Sequence, residues 1–548
     1  MVSRTSILGG ESKSRGLLGG RRARGVVGAW IILGLVAAVL ILFLQLIGFF
    51  IGAVAALVLF VMTMDPGNGS SPFKRLQDRR RMRYRRRQGF DDFVHVSWRP
   101  DDLVATAGAT RKERSGNQRT WNTYRDWPDG VDGLYWLESR PGRPCVAYHG
   151  PVGESPYLSV AFSVDGPIQG LHGDTFVAEA QYEFGQLMAG WGASQKLVSG
   201  IQIVTRVLPS DSAFHEVWLE EQLDPAAPEE LQAGYGELLD QLSAASFVQR
   251  HYVVIRWNVD NRFAVMASRR APGLEGFLEV IQEQTASVHR RLVDAMYSKV
   301  HPLSGPQLGA VLRHLQHPDW PIDRASDVNI DSCWLPSHDD WSSTEVISES
   351  PDPLNPDLMM AQSGWLHRTA AIPVEGLEVR PIDGLWMSPL LTGMEEQIVR
   401  TISTHIQFVP AREAKIGARR DATSDRADII SQERKGRIVD DDAELALSAA
   451  VRRFEDLRDG GGHHGAVWTA FITVSARKKD ELNAACSHVE EAADGAGINR
   501  LDWLDTLQSA AQATTWPLGR GMATPKRSGA VRTAERLSTS TNKEAISA

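Results

Sequence analysis

Cysteine is scarce in this 548-residue sequence. Cys145, Cys333 and Cys486 lie far apart and form no C-x-x-C pair. Neither a zinc ribbon nor a disulfide framework can be built from them, and they fit a reducing compartment. The dipeptide Gly-Lys does not occur, so there is no G-x-x-x-x-G-K-[ST] phosphate loop, which excludes a standard P-loop ATPase. A G-x-G-x-x-G turn after a strand, H-E-x-x-H, the G-x-S-x-G elbow and an EF-hand loop are missing as well. Basic residues are in the minority, 59 Lys and Arg against 67 Asp and Glu, for a net charge of -8. Such a balance argues against a chain that binds nucleic acid over its whole surface.

The most extensive absence is that of charge between Val26 and Met64, where Gln45 is the only strongly polar residue. At about 1.5 Å per residue the run is nearly twice as long as one helix needs to cross a hydrocarbon layer of about 30 Å. The length predicts a transmembrane helical hairpin, Val26 to Leu44 and Ile47 to Met64, turning around Gln45 to Gly48. Its anchor residues include Val26, Trp30, Leu44, Ile47, Phe60 and Met64. Basic residues flank it on both sides. Arg15, Arg21, Arg22 and Arg24 precede it; Lys74, Arg75, Arg79, Arg80, Arg81, Arg83, Arg85, Arg86 and Arg87 come after it. The positive-inside rule then predicts a multi-pass plasma-membrane protein with both termini in the cytoplasm. The second cluster reads as a topology signal attracted to anionic lipid, so the bilayer is an expected partner and direct nucleic-acid contact is not.

Beyond this basic cluster the chain has the composition of a globular protein, and its periodicity predicts two similar αβ units. In the first, Cys145 to His149 and Tyr157 to Val164 read as strands, and Phe176, Val177, Ala180, Phe184, Leu187, Met188 and Trp191 fall at helical spacing. An alternating strand over Ile201 to Val207, a helix near Pro228 to Ala245 and a β-rich run over Tyr252 to Trp257 complete it. A helix over Leu274 to Met296 and another over Gln307 to Leu315 lead into a Pro-, Ser- and Asp-rich stretch anchored by Trp320, Trp334 and Trp341. In the second unit, strands over Trp365 to Ile372 and Val399 to Phe408 precede a long polar helical region, Ala411 to Leu457. The strand Val467 to Ser475 and a helix burying Leu482, Ala485, Cys486 and Val489 come next. Cys486 is thereby expected to be a core thiol.

The predicted fold is α+β: an N-terminal transmembrane hairpin followed by two cytoplasmic αβ units of ferredoxin-like sandwich type. The expected divisions are a basic N-terminus (1–25), the hairpin (26–64), an Arg-rich juxtamembrane linker (65–95), a first unit (96–300), irregular packing (301–360), a second unit (361–522) and a disordered tail (523–548). His463 and His464 sit in the Gly-rich turn from Gly460 to Gly465 without further ligands nearby, and His149, His251 and His405 fall on strands or their ends, where structural roles are expected. No catalytic, cofactor-binding or metal-ligating set is predicted, and the chain reads as a non-enzyme.

The order of these parts resembles that of actinobacterial conjugation-associated membrane proteins. Those are similar to a small type IV secretion inner-membrane subunit fused to the N-terminal, non-ATPase portion of the secretion ATPase. The stretches that carry the resemblance are Phe408-Val409-Pro410-Ala411-Arg412 leading into the charged helix, Trp468 to Glu491, and Leu518-Gly519-Arg520-Gly521. The resemblance implies a non-enzymatic membrane scaffold of a type IV-like DNA-transfer machine that docks a separate ATPase and assembles as a homo-oligomer. Alternatives are a component of another actinobacterial secretion system such as type VII, or a membrane-tethered enzyme with an unrecognised site.

Overall fold

A computed structural model describes residues 6–8, 34, 47, 51–57, 72–96, 124–150, 155–168, 172–193, 196–209, 219, 222, 227–245, 247–323, 325–348, 363–382, 384–394, 396–434, 441–457 and 463–522. The chain is α+β, and among the described residues it is built on one sheet of fourteen strands. In chain order, β1 (Ser6–Leu8) pairs apart from that sheet with β13 (Arg380–Ile382). Helix α1 (Pro72–Gln88) is followed by β2 (Asp92–His95), β3 (Tyr124–Arg125), β4 (Leu134–Glu138), β5 (Val146–His149) and β6 (Tyr157–Asp165). Next come α2 (Asp174–Gly192), β7 (Val198–Pro209), α3 (Glu229–Ala245), β8 (Phe247–Asn258), α4 (Asn261–Ser268), α5 (Gly273–Asp294), β9 (Ser298–Pro302) and α6 (Gly305–Gln316). The remainder comprises β10 (Ser337–Asp339), β11 (Thr344–Ser348), β12 (Ser363–Ile372), α7 (Ser388–Leu391), β14 (Val399–Val409), α8 (Ala411–Arg434), α9 (Asp441–Asp456), β15 (Gly465–Ala476), α10 (Lys479–Gly495), β16 (Asp502–Trp503) and α11 (Gln508–Gln512).

The predicted transmembrane hairpin is overturned. No helix among the described residues is long and apolar enough to cross a membrane. Of the anchor residues, Ile47 is described and exposed, whereas Val26, Trp30, Leu44, Phe60 and Met64 lie outside the described residues. The multi-pass plasma-membrane location inferred from the hairpin falls with it.

The long strands are rich in β-branched and aromatic residues that suit a pleated, covered surface. They form two triplets of the same design. In one, β8 lies between β6 and β7; in the other, β15 lies between β12 and β14, every contact antiparallel. The rung Val160–Ile255–Ile201 of the first has its counterpart in Ala370–Ile472–Ile402 of the second. The triplets meet where β7 pairs with β14, antiparallel, from Gly200↔Gln407 to Val207↔Arg400. An approximate dyad through that pairing therefore relates the two units, which share one continuous sheet.

Helices cover one face. α5 buries Val280, Ile281, Thr285, Val288 and Leu292 at helical spacing, and α10 buries Leu482, Ala485, Cys486, Val489 and Ala493. Beneath α5, Phe162, Ile255 and Trp257 are sealed from solvent, each contributing roughly 1.5–3 kcal/mol. The opposite face takes α6, whose N-terminus is closed by a Ser304–Gln307 capping box, and the segment from α11 to Met522. Trp334 and Trp516 pack there with ring centroids 5.3 Å apart. Residues 301–360 thus hold α6, β10, β11 and a core tryptophan.

The C-terminal segment crosses the dyad as a strap held by neutral hydrogen bonds. Gln202, fully buried on β7, donates from Nε2 to the Trp516 carbonyl (2.8 Å) and Ser403 Oγ (2.9 Å), and its Oε1 accepts from the Gly519 N–H (2.7 Å). His405 donates to the Thr514 carbonyl (2.9 Å), Ser159 to that of Leu518 (3.0 Å), and the Thr369 N–H to Gln508 Oε1 (2.7 Å). Both units are therefore tied to one peptide.

Candidate functional site

The long polar region after β14 forms two helices, α8 and α9, folded back on each other, with 435–440 outside the described residues. Pro410 starts α8: its carbonyl accepts from the Glu413 and Ala414 N–H groups. The two helices approach through small side chains, with Ala418, Ala449 and Ala450 buried. Gly465 at the start of β15 lies so close to Ala414 that a side chain there would collide with it. The pair therefore stands on the end of the β14–β15 ladder as an arm.

The arm's outer surface is partly apolar. Ile416 is 62% exposed, and Ile430 and Val451 are each 41% exposed. Ile429, Leu447 and Val451 line a groove flanked by Glu444, Arg452 and Glu455. An apolar row bordered by both signs of charge is the pattern with which a partner helix is received. At the arm's base a hollow of about 460 Å³ lies among Glu413, Asp421, Arg453, Asp456, His463 and His464. His463 is exposed, whereas His464 is half-buried with its ring against Gly192 of α2.

A second cavity, of about 300 Å³, opens beside Arg250, His314, Asp319, Trp320 and Trp365. Its charged groups already have structural partners: Arg250 pairs with Asp323 (2.5 Å), and Asp319 accepts from Trp365 Nε1 (2.8 Å) and Arg477 (2.6 Å). Burial, with Arg206 and Arg250 nearby, holds His314 well below the ordinary histidine range. Such a ring stays neutral. Asp91, Asp92 and His338 come close enough to share a cation, yet His338 Nδ1 bonds directly to Asp92 (2.5 Å) and all three are at least partly exposed, so a cross-strand pair accounts for them.

The Arg-rich cluster lies on α1, a helix where a linker was expected. Asp78, Met82 and Arg85, spaced at i, i+4 and i+7, face the body and are buried. Arg85 bonds to Asp339 (2.6 Å) and to Asp129, and Ser509 closes on the same Asp339 from its N–H (3.0 Å) and Oγ (2.8 Å). Arg85 is thus a core residue that joins α1 to the strap. Arg81 pairs with Asp78, and Arg79, Arg80, Arg83, Arg86 and Arg87 are exposed, Arg86 reaching toward Asp91 (3.9 Å). No sequence signal separated Arg85 from its neighbours, because only the acids at positions 129 and 339 distinguish it.

The buried nucleophiles are inert. Burial pushes Cys145 and Cys333 far up, and Cys486 up to about 12, so none is a thiolate at neutral pH. Searches of known protein families and of curated proteins find no match to this chain.

Proposed function

We propose that the chain is a non-enzymatic scaffold subunit of a type IV-like conjugative DNA-transfer machine, and that it docks a separate ATPase through the arm formed by α8 and α9. The observation that carries this reading is the arm itself. It projects from the sheet with Ile416, Ile430 and Val451 exposed and with charges of both signs along its groove. An exposed apolar row rimmed by polar residues marks an interaction surface. The order of parts that resembles the non-ATPase portion of a secretion ATPase supplies the class of partner. The fused sheet and its strap support a passive role, since they provide a rigid platform whose polar interior is spent on holding both units together.

Co-purification with the secretion ATPase of the same gene cluster tests the proposal. Wild-type chain should retain that ATPase, and an Ile416→Asp/Val451→Asp variant should lose it while keeping the wild-type melting temperature. Equal retention by both would remove the arm from the interface. The purified chain should also hydrolyse no ATP, and turnover tracking with the protein through purification would defeat the scaffold reading.

A further inference from the structure

α1 carries more positive charge than the fold uses. Its body-facing side holds Asp78, Met82 and Arg85, and among the described residues the acids nearest to it are paired: Asp129 and Asp339 with Arg85, Asp78 with Arg81, and Asp91 with Arg86. Arg79, Arg80, Arg83 and Arg87 remain exposed, with no ion-pair or hydrogen-bond partner among the described residues. They sit at i, i+1, i+4 and i+8, on one side of the helix and within about 12 Å along its axis. Like charges at i, i+4 repel and weaken a helix, so neither local propensity nor packing explains the arrangement. The helix is also fixed. Because Arg85 is clamped between Asp129, Asp339 and the strap, the outward direction of the other four is set before any ligand arrives.

We infer that this outer face of α1 is a binding surface for the phosphodiester backbone of a nucleic acid. Three features favour that polyanion. All four cations are arginine, whose planar fork matches phosphate oxygens two at a time. They lie on a rigid helix held by a folded body, which suits a regularly spaced row of phosphates. Tyr84, 60% exposed, stands among them as an aromatic surface for a base or sugar. The net charge of the chain does not oppose this local surface, because among the described residues the acids near α1 are paired with arginines. It revises the expectation, drawn from the sequence, that no direct nucleic-acid contact occurs. The contact is sequence-independent, since backbone phosphates carry no base identity.

The test is fluorescence anisotropy of the full chain with a labelled 30-base-pair duplex and a 30-nucleotide single strand across a salt series, alongside sedimentation with phosphatidylglycerol vesicles. Wild-type protein should bind at least one of the two nucleic acids, with a slope of log affinity against log salt of roughly -4 for a duplex that meets all four arginines and a shallower one for a single strand. Replacing all four (R79Q, R80Q, R83Q, R87Q) should weaken binding at least 100-fold and flatten the slope toward zero at an unchanged melting temperature. If that variant fails to fold, R83Q and R87Q made singly should each lower the slope by about one. Binding that is indifferent to these substitutions, absence of binding to both nucleic acids, or binding to vesicles alone would each overturn the inference.

Discussion

Arg206 and Arg400 lie in the interior without a carboxylate partner among the described residues. Arg206 donates to the His314 carbonyl (2.8 Å), near the end of α6, and Arg400 to the carbonyls of Leu390 (2.7 Å), Ile398 (2.9 Å) and Leu391 (3.0 Å) around α7. Each satisfies carbonyls left over at a helix end. Burial lowers Arg206 to about 9 and Arg400 to about 10, so both remain cationic at neutral pH. The buried histidines behave in the opposite way and are held neutral. His367 donates from Nε2 to the Gln316 carbonyl (2.9 Å), accepts at Nδ1 from Ser475 (2.8 Å), and is lowered by burial to about 3; His405 is lowered to about 4. Because the unfolded chain takes up these protons near 6.5 and the folded chain does so only near 3 to 4, stability is present above 6.5 and drains as pH falls through that window. The loss is about 1.4 kcal/mol per pH unit for each histidine. Urea denaturation at pH 7, 5.5 and 4.5 should therefore show a shallower decline for His367→Asn than for the wild type; parallel declines would assign the acid sensitivity elsewhere. That His405 is structural can be read from its strand position in the sequence. The bonding partners of His367 cannot, because Gln316 and Ser475 are far from position 367 along the chain.

Most elements are written in local periodicity. The i, i+3, i+4 pattern of α5 and α10 and the alternation of β15 can be read directly, since each needs only near neighbours to choose its face. α1 is the exception. Its sequence is too charged to show an apolar stripe, and only Met82 and the clamped Arg85 reveal which side is inward. Gln202 is a second. An amide in the middle of a strand looks solvated, yet it is the point at which the strap is fastened. Gln202→Ala would leave the Gly519 N–H unpaired in the interior and the Trp516 carbonyl with only the Leu518 N–H, at a cost of roughly 1–3 kcal/mol. Equilibrium denaturation should report that loss, and hydrogen exchange should show faster opening of the segment after α11. A change below about 0.5 kcal/mol, as expected of a surface site, would show that Gln202 does not fasten the strap.

The two units were legible as similar, but their union was not. The β7–β14 ladder and the strap make them one cooperative body, so calorimetry should give a single unfolding transition. A fragment from Ser363 onward should lack a cooperative transition, because it would expose β14 as an unpaired edge and leave the strap without Gln202 and Ser159. Two separated transitions, or a stable fragment, would make the shared sheet incidental. The sequence by itself determined the strands and amphipathic helices, the core position of Cys486 and the absence of standard nucleotide and metal motifs. Each of these depends on residue type and short-range spacing. Only the tertiary structure decided that β7 and β14 join two units into one sheet, that Arg85 is interior while Arg83 and Arg87 are exposed, and that α8 and α9 stand out as an arm. It also removed the transmembrane hairpin, which rested on the length of an uncharged run and its basic flanks. Pairings between strands distant along the chain, and the desolvation of one arginine among many, are set by which surfaces meet in three dimensions, and no local pattern records that.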